Sequence, residues 1–461
     1  MTRVLFDLSG LVQWYAYLSN PSGIQRVMEN ILGQRNLTGS PQVIFGARAL
    51  GSDTFYAIDP RLVRSLLTDS QRRETIASLR SLFGASMRKG QPSRLLQELR
   101  AIHIPYVALG ATFTEWLWAR YTARHRLPRC PLVILDTNQG YDAVVGLGDF
   151  WCHEGHVDSL ISLKRRTGAR LIHLIHDLVA VVHPQWTHPH YGQQFVSQLG
   201  RLAPHVDHWL ATSNHVASQL ATYLQGLALA TTPIDTIPIG WPQITQLPGD
   251  LVTDVATLQK YGLQRKRYML HVGTVEPRKN LPILLDALAG LPAEAAGSDL
   301  PCILVGRDGW RSEVVRERLK NDLRLAGRVR WIRDAPDSEL NALYRSARFT
   351  VVPSLDEGWG LAVQESLAHG TPCIASHVGG IPEASRGIAR FVPSNDVAAL
   401  RNAINALAAS DSNVEQVRQE ILRALAGQSL PSWANAAEAI LKVAKRPTEQ
   451  DSADGFRALK C

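Results

Sequence analysis

The chain has 461 residues, 45% hydrophobic and 20% charged, ordinary for a soluble globular protein and long enough for two or three domains, each with its own core. Five scattered cysteines (Cys130, Cys152, Cys302, Cys373 and Cys461) form no CxxC pair, which argues against a disulfide framework and a zinc site and fits a reducing compartment. The net charge of +8 is uneven: residues 61–129 hold thirteen Lys/Arg against four Asp/Glu, and the rest of the chain is nearly neutral. No nucleic-acid motif accompanies that basic segment, so an anionic lipid surface fits it better than nucleic acid.

The N-terminus, MTRVLFDLSGL, reads as a first buried strand and not as a signal peptide. No apolar run approaches the roughly 20 residues that span a bilayer. After the strand RVLFDL, Ser22-Gly23 forms a tight turn at a helix start, where a backbone can approach a ligand. The turn is not GxGxxG, and no GxxxxGK[ST] occurs, so a dinucleotide fingerprint and a P-loop are both missing. Further strands are expected at QVIFGA, PLVILD, RLIHLIHD and HWLATS.

Residues 61–129 interrupt this series as a mostly helical, Arg-rich insertion ending in FTEWLWARYTARHR. It reads either as a packed helical insertion or as an amphipathic surface resting on a membrane. His176 and Asp177 fall at the end of RLIHLIHD, where ligands of open α/β sheets sit, whereas His173 lies inside the strand as a core histidine. His183, His188 and His190 lie in a Pro-rich loop without a carboxylate set, which disfavours metal. Ser213-Asn214 reads as a helix cap.

The Pro/Gly-rich stretch IPIGWPQITQLPGD, about 237–250, marks a domain boundary: 1–245 before it, 246–445 after it, and a polar tail over 446–461. The second half offers strands at RYMLHVG, PCILVG, RVRWI, FTVVPS, PCIAS and ARFV, alternating with helical stretches. Runs of Val, Ile and Leu without strict alternation suit parallel strands buried on both faces. The order gives two doubly wound α/β halves in tandem.

Candidate chemistry gathers at strand ends of that second half. Gly273 closes one strand, and Arg278 and Lys279 precede a helix opened by Asn280, a diphosphate-clamp arrangement. Gly306-Arg307 and Arg333-Asp334 follow the next two strands and can frame a nucleotide base. Glu357 lies in the loop after FTVVPS, with Gly358-Trp359-Gly360 behind it, and Glu365 lies two turns into the following helix. Two carboxylates near one crevice can accept the hydroxyls of a sugar and a ribose.

GTVEPRKNL, VGRDG, DSELNALYRSA and PSLDEGWGLAVQESLAHGTPCIAS, in that order over roughly 265–395, resemble the donor half of retaining family-4 glycosyltransferases of the GT-B fold. The first half is similar more loosely, through SGIQRV and IHDL; Ser22-Gly23 stands where that family usually has Gly-Gly. The resemblance implies two Rossmann-like domains facing across a cleft. It implies that Glu357, with the backbone of Gly358 to Leu361, binds the donor sugar and that Glu365 holds the ribose. Arg278 and Lys279 would neutralise the diphosphate, His176 would contact the transferred sugar, and Gly23 would let the first loop close on the phosphates. Neither metal nor cofactor is implied, with the nucleotide diphosphate sugar as co-substrate. The EPRKN clamp resembles mannosyltransferase-like members, which puts GDP-mannose first, then dTDP- or GDP-linked deoxyhexoses and UDP-glucose. The implied acceptor is a lipid-linked or growing glycan of a bacterial surface polysaccharide, and the implied location is cytoplasmic, peripheral on the inner membrane. The competing readings are a non-catalytic glycan-binding or scaffolding protein and a GT-B-type epimerase or phosphorylase.

Overall fold

The computed structural model describes residues 2–18, 20–48, 54–67, 71–72, 74–79, 133–135, 140–152, 155–242 and 250–446. Two sheets form, one in each half. The first has eight strands: β1 (Val4–Asp7), β2 (Val43–Arg48), β3 (Phe55–Ala57), β4 (Val133–Ile134), β5 (Ala143–Gly146), β6 (Arg170–Ile175), β7 (His208–Ala211) and β8 (Ile234–Thr236). Their order is β4-β3-β2-β1-β5-β6-β7-β8. The second has six, β9 (Met269–Val272), β10 (Cys302–Val305), β11 (Val329–Ile332), β12 (Phe349–Val352), β13 (Cys373–Ser376) and β14 (Arg390–Val392), in the order β11-β10-β9-β12-β13-β14.

The six-stranded sheet is parallel throughout, as is the first sheet from β2 to β8. Helices cover both faces, which is why β1, β5, β7, β10, β12 and β13 are buried at every position. The edge strands β3 and β4 run antiparallel. PLVILD, expected as a buried parallel strand, forms only this edge, and Val133 and Ile134 are 57% and 64% exposed.

Two expectations of extent change. The last helix, Trp433–Ala444, does not stay with the second domain. Its Ala436, Ala437, Ile440 and Val443 pack with Val4, Phe6, Ile31 and Val145 in the core of the first. The apolar face of the helix finds its partner on the first sheet, so the chain crosses between domains twice. The crossings touch, the Trp241 N–H donating to the Pro431 carbonyl at 2.8 Å. The basic insertion also starts later than residue 61, because Val63, Leu66, Ile76 and Leu79 are buried in the first core. Arg72 donates to Glu29 and Tyr15, which uses up part of the segment's charge inside the fold. The rest of the insertion, from 80 to 129, and the tail after 446 lie outside the described residues.

Candidate active site

β9 and β12 are neighbours, so the loops at their carboxyl ends meet. The β9 loop runs through a single 3-10 turn, Pro277–Lys279, which sets Arg278 and Lys279 just ahead of the helix Leu281–Ala289. Asn280 occupies the cap position with a left-handed backbone, and its side chain donates to the Ser394 carbonyl instead of capping the helix. The Leu355 N–H donates to the Arg278 carbonyl at 2.8 Å and ties this loop to the β12 loop.

On that second loop Glu357 is 7% exposed and holds both cations: Arg278 at 2.5 Å through Oε2 and Lys279 at 2.6 Å through Oε1. Ser354 Oγ donates to Oε1 at 2.8 Å, and Arg278 also donates to the Asp356 carbonyl at 3.0 Å. Burial pushes the Glu357 carboxyl up, but the Arg278 and Lys279 charges outweigh it and hold it at about 2. The carboxylate is therefore a permanent acceptor at any working pH, and the trio carries a net charge of about +1.

Gly273 and Gly306 stand back to back at the ends of β9 and β10. A Cβ on residue 306 would lie 1.9 Å from the Gly273 carbonyl oxygen, so no larger residue fits there. Glu365 lies in the second turn of the helix Leu361–Ala368 and accepts from Arg26 of the first domain at 3.1 Å. Arg307 donates to the Asn20 carbonyl and lies over the Trp14 ring, both in the first domain. Trp359 packs against the first core and donates to Gln364 at 3.3 Å. Arg333 is not drawn into this group; its partners are Asp308, at 2.9 Å, and the Trp331 ring.

The first domain supplies the opposite wall from the ends of β5, β6 and β7. His176, directly after β6, bonds through Nε2 to the Leu147 carbonyl at 2.7 Å; burial lowers its pKa and favours the neutral ring. Ser213 caps the helix Asn214–Gly226 by accepting from the Val216 N–H and also donates to the Gly358 carbonyl at 2.6 Å. Ser22 caps the helix Gly23–Leu32 by position, and its hydroxyl donates to Gln25. Gly23 faces Leu361, whose Cδ1 would lie 3.7 Å from a Cβ there. His173 is buried in β6, as expected of a core histidine. Glu365, Arg307 and the Gly358 loop thus meet first-domain residues directly, beside the Arg278–Lys279–Glu357 trio, and Arg333 stands apart.

Arg26, His215 and Asp149 were not picked out from the sequence, and Asn214 was read only as part of a helix cap. Arg26 reaches Glu365 only through the tertiary fold. Asn214 and His215 donate backbone N–H bonds to Glu383 at 2.9 and 3.1 Å, and His215 also pairs with Asp356 at 3.1 Å. Asp149, after β5, accepts from Gln25 at 3.0 Å, and its Oδ1 has no hydrogen-bond partner among the described residues. Burial pushes its carboxyl up to about 7. The run DAVVG ahead of it, which contains β5, is too short to mark a strand end, so Asp149 carried no usable signal. Among the described residues no group of three or more His, Cys, Asp or Glu is placed to hold a metal ion, and no helix is long and apolar enough to cross a membrane.

Residues 256–423 match the family model described as glycosyl transferases group 1. The matched stretch lies within the second domain, which is thus similar to a group 1 glycosyl transferase domain. Over 143 residues the chain is 38% identical to O-antigen chain mannosyltransferase B of Escherichia coli, covering 31% of this chain and 37% of that one. A D-inositol 3-phosphate glycosyltransferase of Nocardia farcinica is 28% identical over 59% of this chain and 60% of its own. The matched stretches thus span from about a third to three fifths of these curated relatives. Among solved structures, Anabaena HepE in complex with UDP and glucose superposes with a TM-score of 0.58 at 16% identity, covering 96% of this chain and 99% of that one. WaaG, a glycosyltransferase involved in lipopolysaccharide biosynthesis, gives 0.56 at 14%, covering 96% and 100%. At such identities the likeness establishes the fold. The two domains together form a GT-B fold.

Proposed function

We propose that this protein transfers a hexose, mannose favoured, from a nucleotide diphosphate sugar to a lipid-linked or growing glycan acceptor in bacterial surface polysaccharide synthesis, with retention at the anomeric carbon. The observation that carries this reading is the convergence of Arg278 and Lys279 on Glu357 at the strand ends facing the first domain. The mannosyltransferase name of the E. coli relative supports the choice of sugar.

In the proposed reaction the bond from the anomeric carbon to the diphosphate oxygen breaks, and negative charge builds on the leaving phosphate. Arg278 and Lys279 stabilise that charge more in the transition state than in the ground state. Glu357 accepts hydroxyls of the sugar, Glu365 accepts those of the ribose, and the backbone of Gly358 to Leu361 assists. The acceptor oxygen bonds to the anomeric carbon from the same face, and its proton passes to a phosphate oxygen of the departing diphosphate. His176, with its neutral ring favoured, contacts the transferred sugar from the first domain. Ser22, Gly23, Gly273, Gly306 and Arg307 shape the donor gap. The basic composition of 61–129 supports work at an anionic membrane surface, where a lipid-linked acceptor would lie.

Release of nucleoside diphosphate from a panel of nucleotide sugars, GDP-mannose first, with bacterial lipid extract as acceptor source, tests the reading. Lys279→Ala and Glu357→Ala should each lower release by about two to three orders of magnitude while remaining folded. Release from no sugar nucleotide would favour a non-catalytic glycan-binding role, and normal release by both variants would remove the roles given to Lys279 and Glu357.

A further inference from the structure

Glu365 is held from across the gap. Arg26, on the first-domain helix Gly23–Leu32, donates through Nη1 to Glu365 at 3.1 Å and through Nη2 to Asp337, the first residue of the helix Asp337–Ser346. The Arg26 side chain is only 24% exposed. A single fork therefore clasps two second-domain carboxylates from two helices, the geometry in which arginine loses least freedom per bond. Neither helix alone would hold it, and both bonds need the two domains together.

We propose that Arg26 is a positioning residue of the nucleotide subsite, supplied by the opposite domain: by bridging Asp337 and Glu365 it orients the Glu365 carboxylate for the ribose hydroxyls, so that nucleotide binding and domain closure are one coupled event. The inference rests on the donor-site reading of the second domain and adds a residue which that reading did not contain.

The surroundings of Glu365 account for the need. Burial pushes its carboxyl up, Arg26 pulls it back down, and Asp337 opposes it as a like charge. His369 stacks on the Tyr344 ring from the end of Glu365's own helix. Behind Arg26 lies the Tyr15–Glu29–Arg72 cluster of the first domain. Arg26 is the nearest cation acting on Glu365 in this set. Without it the carboxyl takes up a proton more readily and is a poorer acceptor for a vicinal diol. By reciprocity, a nucleotide that bonds to Glu365 more strongly in the closed form must favour closure.

The experiment is calorimetric titration of the full chain with GDP, UDP and dTDP across pH 5.5–8.5, for wild type and for Arg26→Gln, Arg26→Lys, Glu365→Gln and the Arg26→Gln/Glu365→Gln pair. With the nucleotide that wild type binds, Arg26→Gln should weaken affinity about tenfold. Its affinity should recover as pH rises, because Glu365 must lose its proton, and Arg26→Lys should restore only part of the loss, since a single ammonium keeps the charge but not the two-armed fork. In the Glu365→Gln background, Arg26→Gln should cost little more, since the two residues act as one unit. Unchanged or tighter binding by Arg26→Gln, or full additivity in the pair, would overturn the proposal while leaving the donor site intact. Failure of wild type to bind any of the three would remove the donor-site reading and this proposal with it.

Discussion

His176 and Gly358 meet backbone to backbone across the domain gap: a Cβ on residue 358 would lie 1.9 Å from the His176 carbonyl oxygen. Neither group belongs to a flexible side chain, so any residue larger than glycine must push the domains apart. Gly358→Ala should leave each domain folded and lower turnover by about two orders of magnitude, since misplacement by about 1 Å costs roughly that much. Small-angle scattering should report a more open molecule. Wild-type scattering and wild-type turnover together would show that this contact does not govern closure.

Acid stability should fall in two stages. Burial holds His173 and His271 at about 4, below the ordinary 6.5, so the unfolded chain binds protons that the folded one refuses. Their effect is a loss of stability as pH falls from about 6.5 towards 4, partly offset by Asp149, whose carboxyl, raised to about 7, takes up its proton in the folded chain over the same window. Glu357 runs the other way in charge but to the same end. Its folded value of about 2, against 4.5, contributes stability that is present above 4.5 and lost as pH falls towards 2. Urea midpoints measured from pH 7 to pH 2.5 check this. Glu357→Gln should flatten only the lower stage, and a midpoint constant down to pH 4.5 would contradict the histidine account.

Ile440 is fully buried in the core of the first domain although it stands near the end of the described chain. Ile440→Ala should destabilise that domain by about 2–5 kcal/mol. Chemical unfolding followed by Trp fluorescence should show the loss. A change below about 0.5 kcal/mol would mean that the last helix is not part of that core.

The basic segment predicts salt-sensitive binding to vesicles containing anionic phospholipid. Because Val63, Leu66, Ile76 and Leu79 belong to the core, the deletion that tests it should remove 80–129 and spare 61–79. Co-sedimentation should drop on deletion and in high salt. Equal sedimentation with and without 80–129 would end the membrane assignment.

Most of the second domain was legible because its strands are short apolar runs buried on both faces, and its loops carry charged residues at strand ends. RYMLHVG, PCILVG, RVRWI, FTVVPS, PCIAS and ARFV each contain a strand of the sheet. The first domain was less so. DAVVG and PIDTI are too short to stand out as periodic runs, yet they contain β5 and β8. PLVILD has the composition of a central strand but lies on an antiparallel edge, a choice made by its neighbours and not by its residues. The return of the last helix depends on which sheet has an uncovered face. At the site, Arg278, Lys279 and Glu357 could be picked out because their loops follow adjacent strands. Arg26 could not: its partners are 311 and 339 residues away.

The central claim is that an activated sugar is gripped at two ends, its diphosphate by Arg278 and Lys279 and its hydroxyls by Glu357. Dissociation constants for the cognate nucleoside diphosphate and for its sugar conjugate, measured on wild type, Lys279→Ala and Glu357→Gln, separate those ends. The account predicts that Lys279→Ala weakens both ligands alike, whereas Glu357→Gln weakens the sugar conjugate and spares the diphosphate. Wild-type affinity of both variants for both ligands would contradict it.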